Sequence, residues 1–325
     1  MRKILAFMLV LCMIFAFSAC GEEEQTSLAQ STVSSVESKA ESTVSSVESK
    51  VESVVESKVE STVSSKPEPE VVPNQLEQYK KAGQLTRAIV LDSFKQESFT
   101  SSTGTVVRYS IYIPSNYDKS KKYPLVTFLH GAGERGYDNK KQLNNMVWEL
   151  FDYSIEEMSN AIVIAPQCLE GEQWVDTPWA NGNYSTAAVA ESDELGGVVE
   201  LIKWINSNYS TNTKRQYAIG LSMGGFGVWD LIMRHTEMFT AAVPVCGGAD
   251  PAMASKLKNF PVYTLHGDAD PTVPVAGTRA MAQALKDAGN TVYRYDEVPG
   301  GQHNVWTHAA TSTDAVKWMF SKTKK

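Results

Sequence analysis

Cysteine and histidine are scarce in this chain, with four and five copies in 325 residues. Two of the cysteines fall within the first twenty positions, leaving Cys168 and Cys246 for the rest. Two thiols cannot build the disulfide framework that staples small secreted folds. A basic excess is also missing: 30 Lys and Arg stand against 37 Asp and Glu, for a net charge of −7. That balance excludes the phosphate-neutralising surface of a nucleic-acid-binding protein and mainly favours solubility. The one long apolar run, Ile4 to Phe17, is too short for a comfortable membrane span. What remains is an ordinary globular composition, 42% hydrophobic and 21% charged, rich enough for a sizeable core.

The apolar run has its own logic. Arg2 and Lys3 precede it and the small residues Ser18 and Ala19 follow, the order of a secretory signal over 1–19. Phe17-Ser18-Ala19-Cys20 resembles the lipobox of bacterial lipoproteins. The resemblance implies lipidation of Cys20 and a protein held on the extracellular face of the membrane by acyl chains. The alternative is an ordinary cleaved signal that leaves Cys20 free and releases the protein. Residues 20–73 then form a spacer. Thr32 to Ser42 recurs almost unchanged from Thr43 to Ser53, and Pro67, Pro69 and Pro73 close the segment. An eleven-residue apolar period is compatible with a helical supercoil, but the seam is valine and serine abounds, so a disordered tether is favoured.

From Asn74 to the C-terminus the pattern is that of one α/β domain. Strands are expected at Thr105–Ile113, Pro124–Leu129, Ala161–Ala165, Gln216–Leu221, Ala241–Val245, Pro261–Leu265 and Thr291–Val298. Helical stretches fall between or after them at Leu195–Asn206, Gly225–Arg234, Thr278–Ala288 and Thr313–Lys322. Alternation of this kind predicts a mostly parallel sheet with helices on both faces.

Gly220-Leu221-Ser222-Met223-Gly224 sits where an apolar strand gives way to a helix. In that context G-x-S-x-G is a tight turn that lifts the Ser222 hydroxyl out of the sheet as a nucleophile. Serine needs a base, and the base in such folds comes last in the chain. His303, in the loop Gly300-Gly301-Gln302-His303-Asn304, meets that condition. His235 reads better as a cation at a helix C-terminus, His130 and His266 each end a strand before a glycine, and His308 lies at the start of the final helical region. The acid lies in Leu265-His266-Gly267-Asp268-Ala269-Asp270-Pro271, where Asp268 and Asp270 both qualify. Asp268 is also placed to brace the turn through backbone hydrogen bonds, whereas Asp270 lies further out and can reach the histidine loop. Backbone N–H groups of Met223 and Ala132, with Gly131 as the fallback for Ala132, are the candidate oxyanion donors.

Tyr109 to Pro114, Phe128 to Gly136, Ala165 to Cys168, Gly220 to Gly225, His266 to Asp270 and Gly300 to Asn304, taken in order, resemble the predicted-peptidase and esterase branch of the α/β-hydrolases. That branch is similar to the prolyl-oligopeptidase catalytic domain and to bacterial feruloyl and acetylxylan esterases. The resemblance implies Ser222, Asp270 and His303 as the triad, no metal or organic cofactor, and an acyl-enzyme route. No propeller precedes the domain, which favours ester over peptide cleavage. The family's strand order also places two strands between Cys168 and Cys246, about 14 Å at sheet spacing. A disulfide needs Cα atoms within about 7 Å, so two free, buried thiols are expected. Acetyl or feruloyl esters on plant-wall polysaccharide are the expected substrate. Trp174 and Trp179 either stack on a sugar or phenolic ring or simply cover the sheet edge. Trp306 is expected to pack the histidine loop, and Glu134 to pair with Arg135. A serine peptidase acting on short peptides and an inactive carbohydrate-binding surface protein are the competing readings.

Overall fold

The inner strands of the domain are apolar on both faces, so the sheet has to be sandwiched. In the computed structural model, which describes residues 73–325, it is. The signal segment, Cys20 and all but the last residue of the spacer lie outside the described residues. Eight strands, β1 (Lys95–Thr100), β2 (Val106–Tyr112), β3 (Tyr123–Leu129), β4 (Ile162–Gln167), β5 (Thr211–Leu221), β6 (Ala241–Val245), β7 (Tyr263–Gly267) and β8 (Arg294–Val298), form one sheet. Their order is β1-β2-β4-β3-β5-β6-β7-β8. β1 and β2 are antiparallel, and every pairing from β4 through β3 to β8 is parallel. This is the α/β-hydrolase architecture expected.

Successive residues of each strand feed opposite layers. Leu125 and Leu129 of β3 and Ile162 and Ile164 of β4 join one core with helices α1 (Asp193–Asn208), α2 (Met223–Arg234) and α3 (Val275–Asp287). Val126 and Phe128, with Val163 and Ala165, join the other, against Val147–Tyr153, Trp306–Thr311 and Ala315–Phe320. The expected helices are found with ends shifted by a few residues. α1 starts earlier than expected because the Ser192 hydroxyl accepts the Leu195 N–H and caps it.

Three strands differ most from expectation, among them β5, which starts at Thr211 rather than Gln216. β1 has no counterpart among the expected strands: it is an exposed edge strand of sequence Lys-Gln-Glu-Ser-Phe-Thr with no buried alternation to betray it. β8 begins at Arg294 rather than Thr291, because the Asn290 side chain takes the N–H groups of Val292 and Tyr293 into a local turn.

Chain order reverses direction across the sheet at β3, whose neighbours are β4 and β5. Ligand sites of open parallel sheets form outside the strand C-termini at such a reversal. Cys168 follows β4 and Cys246 follows β6, with β3 and β5 between them. Both thiols are buried and free, as expected, and burial pushes both thiol pKa values up.

Candidate active site

Ser222 occupies the turn between β5 and α2 with φ 54° and ψ −120°. Such a conformation is strained for a side chain and persists only where surroundings enforce it. They do: the Ser222 N–H donates to the Val245 carbonyl of β6 at 2.9 Å, and a Cβ on Gly224 would fall 2.0 Å from the Leu129 carbonyl oxygen. Only glycine lets α2 start that close to β3. The strain leaves the Ser222 hydroxyl facing His303, with Oγ to Nε2 at 2.8 Å.

His303 comes from the loop after β8, and its Nδ1 lies 2.7 Å from Asp270 Oδ2. The Trp306 ring meets His303 edge to face at 5.6 Å, packing the loop as expected. Asp270 has a fully buried side chain. Its Oδ1 accepts the Thr272 and Val273 N–H groups at 2.8 and 3.0 Å. Burial alone would raise this carboxyl, but the His303 hydrogen bond and the two amides outweigh it and hold the pKa below the usual value. Asp268 is exposed and serves as a brace, accepting the Gly300 N–H at 2.6 Å and tying the β7 turn to the histidine loop. The structure therefore brings Ser222, His303 and Asp270 into one hydrogen-bonded chain and leaves Asp268 outside it.

Asp270 has a further partner. His266 Nε2 is 3.2 Å from the same Oδ2 and 3.0 Å from the Val273 carbonyl. Since a carbonyl only accepts, Nε2 carries the hydrogen, and Nδ1 accepts from the Thr278 hydroxyl at 2.6 Å. Burial lowers the pKa of this imidazole, keeping it neutral.

The loop after β3 closes the other side. Gly131 packs so tightly that a Cβ there would be 2.7 Å from Leu221 Cδ1 and 3.6 Å from Ser222 Cβ. Ala132 opens a short 3-10 turn, Ala132–Glu134, immediately after Gly131. Met223 is the first residue of α2, so its N–H has no carbonyl one turn earlier to bond. The two candidate oxyanion donors thus flank Ser222 from different elements. The end of β4 holds the loop in place. Gln167 donates to the Glu134 carbonyl at 3.1 Å, and the Gly136 N–H donates to the Cys168 carbonyl at 3.1 Å.

Three expectations need correction or placing. Glu134 and Arg135 do not pair. Glu134 is buried, accepts from Asn145, and has a pKa raised by desolvation. Arg135 instead donates to the Ala132 carbonyl at 3.0 Å and the Glu172 carbonyl at 3.1 Å. Trp174 is 1% exposed, and its indole N–H donates to the His130 carbonyl at 3.1 Å, so it presents no face to a substrate. Its role is the alternative one, covering the sheet beneath the site. Trp179 is partly buried and packs against the core, with the Arg135 guanidinium 5.8 Å from its ring centre. Among the described residues, no cluster of His, Cys, Asp and Glu is arranged to hold a metal.

The family model described as "Putative esterase" matches residues 100–318, a span that contains every one of these groups. The chain belongs to that esterase family. A probable feruloyl esterase C from Aspergillus terreus is 25% identical over 202 residues, covering 61% of this chain and 69% of that protein. An uncharacterized secreted protein from Arthroderma benhamiae is 27% identical over 259 residues, which is 66% of this chain and only a quarter of that protein's length. Among solved structures, a thermostable esterase superposes with a TM-score of 0.65 at 30% identity, covering 73% of this chain and 64% of its own.

Proposed function

We propose that this esterase-family member hydrolyses carboxylic esters through an acyl-enzyme built on Ser222. The observation that carries the reading is the chain Ser222 Oγ, His303 Nε2, His303 Nδ1, Asp270 Oδ2 on a strained strand-to-helix turn. His303 takes the Ser222 proton as Oγ attacks the ester carbonyl, and Asp270 keeps Nδ1 protonated and stabilises the imidazolium that forms. The N–H groups of Met223 and Ala132 receive the developing oxyanion, each worth about 3 kcal/mol in such sites. His303 then returns the proton to the leaving alcohol, and a water activated the same way releases the acid.

The substrate we propose is an acetyl or feruloyl ester on plant-wall polysaccharide, met outside the cell by an enzyme anchored through a lipid on Cys20. Support comes from the relatedness to a probable feruloyl esterase, from the lipobox resemblance of Phe17 to Cys20, and from the half-buried Trp179, an aromatic ring of the kind that stacks on a phenolic or sugar ring. The test is release of acetate and ferulate from arabinoxylan oligosaccharides by wild type and Ser222→Ala. Ser222-dependent release is expected. Ser222-dependent cleavage of simple p-nitrophenyl esters without it would keep the mechanism and discard the substrate. Cleavage of aminoacyl anilides alone would overturn the esterase reading.

A further inference from the structure

The peptide unit that carries the Ala132 N–H lies in a segment with a glycine on either side of Ala132. The segment runs Gly131-Ala132-Gly133, and nothing lies within 4 Å of where a Cβ on Gly133 would be. A peptide unit next to a glycine rotates at small cost. If the unit joining Gly131 to Ala132 turned over, it would present a carbonyl oxygen where the oxyanion forms. A partner on the Gly131 carbonyl has to fix the orientation of that unit.

The neighbouring imidazole does. His130 is fully buried at the end of β3. Its Nε2 faces the Cys168 N–H at 2.9 Å, so that nitrogen accepts and carries no hydrogen. Burial drops the His130 pKa to about 4, so the ring is neutral and its one hydrogen sits on Nδ1. Nδ1 then donates to the Gly131 carbonyl at 2.6 Å. The carbonyl of Gly131 and the N–H of Ala132 belong to one planar trans unit and point opposite ways. A second donor to that carbonyl, the Glu134 N–H, stands further off at 3.3 Å.

We propose that His130 is a positioning residue for ester hydrolysis: by pulling the Gly131 carbonyl into the core, its Nδ1–H turns the Ala132 N–H outward to the oxyanion. Cys168 and Trp174 set up that ring. The Cys168 amide selects the tautomer, and the Trp174 indole N–H holds the His130 carbonyl while its ring lies 5.2 Å from the imidazole. The role rests on the esterase reading above, with Ala132 as an oxyanion donor.

Two substitutions separate the two hydrogen bonds of the ring. In His130→Asn the amide nitrogen stands near the Nδ1 position and keeps the donor to Gly131 while losing the acceptor for Cys168. In His130→Gln the longer amide oxygen reaches the Nε2 position and keeps the acceptor while losing the donor. With the full chain and p-nitrophenyl acetate, kcat of His130→Gln is expected to fall about 100-fold with KM little changed, within the range for a lost oxyanion donor. His130→Asn is expected to stay within about fivefold of wild type, although both variants lose a buried hydrogen bond and melt earlier. Equal losses in both variants, or full kcat in His130→Gln, would overturn the proposal. Should either variant not fold, nitrogen-15 imidazole shifts of the wild type decide: Nδ1-protonated His130 is required, and an Nε2-protonated ring refutes it. Ser222→Ala in the same assay distinguishes failure of the role from failure of the esterase reading. Activity that survives it brings down both together, whereas its loss leaves the His130 variants to judge the role alone.

Discussion

The same dipeptide stands at the C-terminal edge of two strands, His130-Gly131 directly after β3 and His266-Gly267 closing β7, and both imidazoles are fully buried beside the candidate site. Their protons sit on opposite nitrogens. His130 meets a backbone N–H at Nε2 and is left with Nδ1–H, while His266 meets a backbone carbonyl at Nε2 and carries its hydrogen there. One ring gives its hydrogen to a peptide, the Gly131 carbonyl; the other shares its hydrogen with the Asp270 carboxylate. The lesson is that a buried histidine takes its role from the single backbone group that chooses its tautomer. On the β3 side the product is an aimed dipole, and on the β7 side a held charge.

The comparison is tested most severely at the charge. Asp270→Asn is expected to lower kcat about 10,000-fold, as loss of the orienting carboxylate does in serine triads. A loss no larger than that of His130→Gln would mean that the two sides weigh equally. The glycines give the next contrast. A Cβ on Gly267 would lie 2.2 Å from the Gly301 carbonyl oxygen, backbone that carries the His303 loop, whereas on Gly131 it meets the movable Leu221 side chain. Gly267→Ala should therefore cost about 3 kcal/mol in urea unfolding and Gly131→Ala about 1 kcal/mol, within the usual span for overpacking. Similar values for the two would refute the difference in rigidity.

Acid provides a third probe. Burial holds both imidazoles below the ordinary histidine value, His130 at about 4. The unfolded chain, titrating near about 6.5, binds those protons first. Stability is then full above about pH 6.5 and falls as pH drops toward 4. Asp270, held below the usual carboxyl range, loses its own contribution at still lower pH as it protonates. Urea midpoints at pH 7 and pH 5 should differ less in His130→Asn than in wild type, and an unchanged gap would show that His130 is not among the groups responsible. The smallest effect belongs to Asp268→Asn, expected within about threefold of wild-type kcat because the amide oxygen still accepts the Gly300 N–H. A loss approaching that of Asp270→Asn would reverse the assignment of acid and brace.

Most of the inner sheet and Ser222 with His303 are legible in the sequence, because buried strands print apolar runs and the G-x-S-x-G turn prints its glycines, whereas the choice of Asp270 over Asp268 rests on the family resemblance. β1 is not, since an edge strand with both faces wet leaves no period. Trp174 reads as an equal candidate for substrate contact because its true partner, the His130 carbonyl, lies 44 positions earlier in the chain. The roles of His130 and His266 are hidden for another reason. Both are visible as strand-ending histidines, but the groups that set their tautomers, Cys168 and Val273, are backbone atoms, and backbone atoms carry no residue signature. Glu134 and Arg135 mislead for a related reason: adjacent opposite charges suggest a pair, yet each has a better partner, Asn145 for the acid and backbone carbonyls for the base.

The burial of Cys168 and Cys246 has a practical side. Both thiols of the described domain are sealed, and burial pushes their pKa values up, so neither offers a thiolate to an alkylating reagent. A cysteine introduced at Tyr137, 62% exposed just beyond the loop that carries Ala132, would be the one reactive thiol among the described residues. A maleimide fluorophore there would watch that loop during turnover in an otherwise wild-type domain, with no background to subtract from the fold itself.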